Sequence, residues 1–196
     1  MPPLILWLCI AAAVLLFWAV GAYNRLMRLR SGVSKAFAAL DEQLVRQIVW
    51  VQGCLPEPMR NLTQASPIEL QDKVTATWVK LSAASDQFAA ALAGARSDAI
   101  ANAPVMASLV LAHEAMCTAL ADALAAAVAP DAVPQLQAQW TGLLHQTWSP
   151  RAAFDEAVRT YNQARTQFPA SIIARLSGFK PAGTATRIAE FTHAAR

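Results

Sequence analysis

One short run in the middle of the chain has the residue types that bind metal ions. His113, Glu114 and Cys117 occur together in the sequence His-Glu-Ala-Met-Cys. On a helix, His113 and Cys117 share one face, as the two histidines of the zinc-protease motif HExxH do. That motif needs a second His where this chain has Cys117, and no third ligand is spaced nearby. The favoured interpretation is a core Cys beside a His on the polar face of an Ala-rich helix. A zinc-dependent membrane enzyme built round the three residues is the alternative.

The remaining reactive residues form no recognisable catalytic arrangement. Cys9, Cys54 and Cys117 are far apart in sequence and contain no CxxC pair. Asp155 has the i,i+4 spacing of helix-surface ion pairs with both Arg151 and Arg159. There is no glycine-rich phosphate loop and no GxSxG motif. The sequence therefore predicts no catalytic activity, no cofactor and no small-molecule substrate.

The composition excludes a disordered chain and disfavours a plain soluble protein. Hydrophobic residues make up 56% of the 196 residues and charged residues 15%, against about 45–50% and about 25% in typical soluble domains. Residues 4–22 carry no charge, and their number falls within the roughly 17–25 residues that cross a bilayer. Trp7, Trp18 and Tyr23 lie towards the two ends of this run, where aromatic rings favour the headgroup zone.

A cleaved signal peptide is the competing interpretation of this run, because Val20-Gly21-Ala22 resembles a small-residue cleavage site. The segment before the run is Met-Pro-Pro, which has no cation, and the apolar run is longer than a signal-peptide core. A retained single-pass transmembrane helix is therefore predicted, with the anchor at residues 1–23.

Charge predicts the orientation. Four cations follow the apolar run before the first acid at Asp41: Arg25, Arg28, Arg30 and Lys35. An excess of Lys and Arg beside a span favours the cytoplasmic side. The prediction is an outside N-terminus and a cytoplasmic body, with a periplasmic body as the alternative. The four cations are also expected to contact anionic lipid.

The rest of the chain predicts four long helices and no strand. The first continues from the membrane run, with apolar residues at steps of three or four: Leu26, Leu29, Val33, Phe37, Leu40, Leu44, Ile48 and Val51. The other three are predicted at residues 66–93, 104–129 and 135–167, with Ser149-Pro150 as a kink or a fresh start in the last. The second helix begins at the capping box Ser66-Pro67-Ile68-Glu69.

A short amphipathic piece follows the fourth helix. Its apolar residues Ile172, Ile173, Leu176 and Phe179 lie beside cations, and an apolar side flanked by cations suits a membrane interface. We therefore add Ile172, Ile173 and Phe179 to the predicted membrane-interface set. A cap on the open end of the bundle is the alternative role. The tail at 180–196 is predicted to be loosely ordered.

Two segments near the ends of the chain carry a family pattern. Residues 23–30 read Tyr-Asn-Arg-Leu-Met-Arg-Leu-Arg, and residues 154–180 contain the pairs Tyr161-Asn162, Phe168-Pro169, Ile172-Ile173 and Gly178-Phe179. In order and spacing these segments resemble the LemA family, a group of bacterial membrane-anchored helical proteins. The middle departs from the family pattern, with Ile48-Val49-Trp50 where the family has Ile-Pro-Asn, so the chain resembles a divergent member.

The resemblance implies a bundle on a membrane stalk and a scaffolding role. The predicted fold is all-α: an N-terminal transmembrane helix that continues into an antiparallel, up-down four-helix bundle over residues 24–179, with coiled-coil packing. The predicted partners are the lipid bilayer and an unidentified protein, including a second copy of the chain. A nucleic-acid partner is not expected, because 12 Lys or Arg and 13 acids balance over residues 36–196.

Overall fold

The computed structural model describes residues 3–55, 73–97, 102–126, 133–186 and 188. Within these ranges the structure has no strand, and its helices are α1 (Pro3–Cys54), α2 (Lys73–Ser97), α3 (Ala103–Ala125), α4 (Val133–Thr166) and α5 (Ala170–Leu176). The all-α prediction is confirmed.

Helix α1 has two halves that differ in their surroundings. It is 52 residues long, which corresponds to about 78 Å at 1.5 Å per residue. Large apolar side chains from Ile5 to Val20 are exposed on all sides. In the second half the predicted stripe faces the core: Leu26, Val33, Phe37, Leu40, Leu44, Ile48 and Val51 are buried, and Leu29 packs against them. The stripe prediction is confirmed.

Helices α1 and α4 form one antiparallel pair. The indoles of Trp50 and Trp140 stack with their centroids 5.5 Å apart. Further along, Phe37 meets Phe154 at 5.7 Å. Contact partners therefore run in opposite directions along the two helices, as the up-down arrangement requires.

Helices α2 and α3 form the second antiparallel pair. Lys80 Nζ lies 2.7 Å from Asp122 Oδ2, and the ring of Phe88 meets the imidazole of His113 edge-on at 5.2 Å. The α2–α3 pair joins α1 through a bidentate ion pair in which Arg96 donates to both oxygens of Asp41 at 2.7 and 3.0 Å. The four long helices thus form the predicted antiparallel bundle.

The helix boundaries differ from prediction in two places. Helix α2 is described from Lys73, so the predicted capping box at residues 66–69 lies outside the described residues. Helix α4 runs unbroken through Pro150, so a fresh start at Ser149-Pro150 is wrong. The proline removes one backbone donor, but contacts with α1 hold the helix on both sides of it, at Thr147 and Phe154.

The stretch after α5 differs most from prediction. Residues 177–186 form a strap along α4, with a turn at 177–178 and no helix or strand from 179 to 185, and Ala182, Ala185 and Ile188 are buried. Ala182 also makes an isolated antiparallel bridge to Asn102, at the start of α3. The described part of the expected loose tail is therefore packed into the bundle.

Candidate functional site

The His113 run lies inside the bundle and belongs to a chain of hydrogen bonds. Helix α3 aims the fully buried imidazole of His113 at α1, where its Nε2 lies 2.9 Å from Gln47 Oε1. The Gln47 amide nitrogen donates to Thr147 Oγ1 on α4 at 2.7 Å. Thr147 in turn donates to the carbonyl of Leu143 at 2.9 Å. We call Gln47, His113, Cys117 and Thr147 the buried relay.

The bonding pattern fixes the protonation state of the relay. Because the Gln47 amide nitrogen donates to Thr147, its oxygen is the acceptor and His113 Nε2 must carry the proton. His113 Nδ1 then accepts from the Cys117 thiol, 3.7 Å away. Desolvation lowers the pKa of His113 to about 4. Burial, and secondly the charge of Glu114, raises the pKa of Cys117 to about 12. At neutral pH the relay is an imidazole and a thiol, both uncharged.

This environment corrects the prediction for His113, which was placed on a polar face. The side chain is buried because Gln47, distant in sequence, supplies the polar partner that the core position needs. His113 and Cys117 provide two neighbouring donors, and within the described residues no group of three His, Cys, Asp or Glu side chains is placed to hold a metal ion. The donor set therefore does not match the three or four ligands of a zinc site.

Helix α4 holds the strap through four of its side chains. Tyr161 Oη donates to the carbonyl of Lys180 at 2.9 Å. Asn162 both donates to and accepts from the backbone of Ala182, at 2.9 and 3.1 Å. Asp155 accepts from the amide of Ala185 at 2.7 Å. The fourth side chain, Arg151, donates to the carbonyl of Thr186 at 2.5 Å.

The predicted surface pairs of Asp155 are only partly present. Arg151 Nη1 lies 4.0 Å from Asp155, and both side chains are mostly buried. Arg159 pairs with Glu156 at 2.6 Å instead. Burial raises the pKa of Asp155, against the opposing effects of the Ala185 amide and Arg151. Asp155 therefore binds the strap and is not a solvated surface acid.

The predicted membrane-interface residues lie at the end of the bundle that carries the N-terminal run. Arg25, Arg28 and Lys35 are exposed on α1, and Arg30 is half-buried. Helices α4 and α5 bring the second group to the same end, because Phe168 packs on Trp18 with centroids 5.5 Å apart. The structure thus brings both predicted groups to one end of the molecule.

The apolar members of the set have different surroundings. Ile172 is 51% exposed and Ile173 is half-buried, whereas Phe179 is 7% exposed. The ring of Phe179 lies edge-on to Tyr23 at 5.8 Å, so this side chain closes the bundle and does not face outwards. Phe179 is therefore not an exposed member of the predicted membrane-interface set.

The sequence analysis did not identify Phe168 as an exposed apolar residue at this end, although its side chain is 76% exposed. Leu176, which belongs to the predicted amphipathic piece but not to the predicted interface set, is 81% exposed. Ile172 and Leu176 are four residues apart on α5, the spacing of one helix face, and Phe168 lies in the turn that precedes this helix. Helical periodicity does not predict the position of Phe168, because it lies outside α5.

Two described helices, α1 and α3, are long and apolar enough to cross a membrane. The apolar part of α1 is not buried, as expected for a segment that meets lipid. Helix α3 has ten buried residues, His113 among them, and this burial is typical of a core helix.

These features define an all-helical protein with an antiparallel bundle and an N-terminal candidate membrane helix. The chain belongs to the LemA family, whose model matches residues 68–194. The match covers α2 to α5 and the strap, and it confirms the resemblance seen in the sequence. Neither the curated proteins nor the solved structures contain a match to this chain.

Proposed function

We propose that the protein is a membrane-anchored, non-catalytic scaffold or adaptor. The observation that carries this proposal is the continuity of α1. One helix, Pro3–Cys54, begins with an apolar run that is exposed on all sides and ends as the central stripe of the bundle. A body built on such a helix is held at a fixed distance from the bilayer.

The interior of the bundle supports a role without chemistry. The groups of the buried relay are uncharged at neutral pH, and each uses its polar atoms on a neighbour within the relay or on the backbone of α4. A general base or nucleophile needs a pKa near the working pH and access to substrate. His113 is fully buried, and its pKa is lowered to about 4. These properties favour a structural role for His113.

The orientation that we propose places the body in the cytoplasm. Arg25, Arg28, Arg30 and Lys35 follow the apolar run directly, and this asymmetry favours the cytoplasmic side. The opposite orientation would place the body in the periplasm.

The topology is tested with an introduced thiol. Gln87 is exposed on α2, so Gln87→Cys is made in a full chain in which Cys9, Cys54 and Cys117 are changed to Ala. An impermeant maleimide should label this variant only after lysis, and the lysed sample is the control for reactivity. Labelling of intact cells to the same extent would contradict a cytoplasmic body.

The scaffold role is tested by photo-crosslinking in native membranes. A photoreactive amino acid replaces Gln87 or Trp148, both exposed and on different helices. We expect a discrete adduct with another polypeptide or with a second copy. The adduct should persist when residues 4–22 are replaced by an unrelated apolar span. Recovery of the uncrosslinked chain alone from both positions would contradict the scaffold role.

The zinc alternative has a separate test. The full chain is purified in detergent and its metal content is measured. We expect no stoichiometric zinc, because the described donor set around His113 has two ligands. Stoichiometric zinc that is lost in Cys117→Ala would overturn the non-catalytic proposal.

A further inference from the structure

We infer that the α4–α5 turn and the outer side of α5 insert into the bilayer beside α1 and form a second membrane contact. The inserting surface consists of Phe168, Ile172 and Leu176, which we call the insertion stripe. This inference rests on the proposed anchoring of α1 and adds the residues that make the second contact.

The insertion stripe exposes large apolar side chains, whose contact with water is unfavourable. Phe168, Ile172 and Leu176 are 76%, 51% and 81% exposed; the spacing of Ile172 and Leu176 puts them on one face of α5, and Phe168 lies in the turn that precedes this helix. Clustered large apolar side chains on a surface mark an interaction site, whereas single ones do not. The stripe therefore needs a partner that covers apolar surface.

The depth of Phe168 identifies this partner as lipid. Its ring lies 5.5 Å from that of Trp18. Trp18 lies four residues inside the end of the uncharged run at 4–22, which corresponds to about 6 Å along a helix. When α1 spans the membrane, Phe168 consequently lies at the level of the bilayer and not in the aqueous phase.

A groove between α1 and the turn extends the same apolar surface. It encloses about 660 Å³ and is lined mainly by apolar residues, among them Val14, Phe17, Gly21 and Pro169. Val14 and Phe17 belong to the uncharged run, so the groove opens at membrane depth. Acyl chains of the bilayer are the occupant that matches its position and its lining.

Charge around the groove matches an anionic headgroup layer. Arg25 lines one end of the groove, and Arg28, Arg175 and Lys180 are exposed on the same end of the bundle. Residues 1–40 and 157–186 contain no Asp or Glu. Cations above an apolar surface, without competing acids, are the pattern of an interfacial segment.

The inner side of α5 caps the bundle, whereas the outer side carries the insertion stripe. The same short helix can therefore cap the bundle and contact lipid. Ala170 and Ala174 are buried against the core, and Phe179 closes the bundle on Tyr23. These contacts fix α5 on α1 and leave the insertion stripe facing outwards. The short helix is therefore held by the bundle on one side and is free for lipid on the other.

The test measures depth in the full chain. Phe168→Cys, Ile172→Cys and Leu176→Cys are made singly in the background with Cys9, Cys54 and Cys117 changed to Ala. Each variant is labelled with a nitroxide and reconstituted into vesicles of phosphatidylcholine and phosphatidylglycerol. Collision rates with oxygen, which partitions into lipid, and with a polar nickel chelate report depth. Circular dichroism of each labelled protein checks that the bundle is folded.

Two exposed reference positions calibrate the result: Val14→Cys in the apolar run and Ser149→Cys on α4, far from it. We expect the ratio of oxygen to nickel collisions at Phe168 and Ile172 to approach that at Val14. A ratio equal to that at Ser149 for all three stripe positions overturns the second contact while the anchor stands. If Val14 itself gives the Ser149 ratio, α1 does not span and the proposed anchoring fails as well.

Discussion

The two ends of the helical body close the same core in different ways. At the end distant from the apolar run, three helices meet at the buried relay, where side chains bond to side chains: Gln47 on α1, His113 on α3 and Thr147 on α4. At the other end the strap covers α4, and side chains bond to backbone. The groups of the relay are uncharged, whereas the side chains of α4 that hold the strap include the acid Asp155 and the base Arg151.

The difference follows from which helices are present at each end. The Arg96–Asp41 ion pair shows that α2 ends beside the middle of the buried half of α1. Towards the apolar run, α1 and α4 would have an uncovered face without the strap and α5. The strap has backbone donors and acceptors that no helix satisfies, and the polar side chains of α4 satisfy them. Packed helices satisfy their own backbone groups, so only a few buried side chains need polar partners there. The strap has free backbone groups along its length, so it needs several polar side chains beside it.

The largest expected effect concerns the core beside the relay. Leu44 is fully buried one turn from Gln47. Leu44→Ala should lower the free energy of unfolding by about 2–5 kcal/mol, because it removes buried methyl groups and leaves a cavity. Denaturant unfolding in mild detergent, followed by circular dichroism, measures the change.

Leu15→Ala is the matched control on the same helix. Leu15 is 62% exposed in the apolar run, so this change should leave the unfolding of the bundle in detergent unaltered. A cost below about 1 kcal/mol for Leu44→Ala would mean that the stripe meets a partner instead of the core.

The second effect is a pH dependence that arises at the relay. The pKa of His113 is lowered from 6.5 to about 4 in the folded protein, so the unfolded chain binds a proton more readily. Stability contributed by the neutral imidazole is complete above pH 6.5 and is lost as the pH falls towards 4. The loss should reach about 3 kcal/mol near pH 4 and then level off. Unfolding free energies across this range measure it.

His113→Gln separates this effect from that of other titrating groups. Glutamine keeps a hydrogen-bond donor for Gln47 but does not titrate. Asp155, whose pKa is raised by burial, titrates with the opposite sign and is present in both proteins. The difference between the two pH profiles therefore isolates His113. If the two profiles of unfolding free energy against pH differ only by a constant, folding does not change the pKa of His113. That result would contradict a desolvated relay.

The sequence was sufficient where local periodicity decides the structure. The core stripe from Leu26 to Val51 was predicted in full, because a helix of period 3.6 leaves one continuous apolar face. The antiparallel order was expected from the resemblance to the LemA family. The stripe therefore depends on neighbours in the chain, whereas the order of the helices was predicted by similarity.

The sequence was insufficient where partners are distant. The burial of His113 depends on Gln47, 66 positions away, and no local pattern reveals that pairing. Phe179 was placed at the lipid interface because its neighbours are cationic, but contact with Tyr23 buries it. The strap was read as loose since Ala182 and Ala185 have no periodicity of their own. Its order comes from polar side chains on α4.

A third test probes how closely the strap fits at the end nearer the apolar run. Gly183 lies so near α3 that an added Cβ would stand 2.7 Å from the Cα of Ala103 and 2.8 Å from the Cβ of Met106. Gly183→Ala should therefore cost about 1–3 kcal/mol through overpacking. Thermal unfolding of the full chain in detergent measures the loss.

Gly142→Ala is the control for this substitution. Gly142 lies inside α4, and an added Cβ there has nothing within 4 Å. The change should stabilise the helix by about 0.5–1 kcal/mol. If Gly183→Ala stabilises the protein by a similar amount, the strap is not packed on α3 and the proposed difference between the two ends fails.

The smallest expected effect tests whether the end with the relay is dry. Ser85 lies one turn from Phe88 on α2 and is fully buried, and its hydroxyl finds no hydrogen-bond partner within the described part of the chain. Ser85→Ala removes this uncompensated polar group and should stabilise the protein by about 1 kcal/mol. Ser108→Ala on the exposed surface of α3 controls for the helix propensity of alanine, and its hydroxyl bonds to the carbonyl of Val105 at 2.8 Å. The gain at Ser85 should exceed that at Ser108. A loss of stability at Ser85 would mean that water or a residue outside the described ranges satisfies the hydroxyl, and then the core beside the relay is not dry.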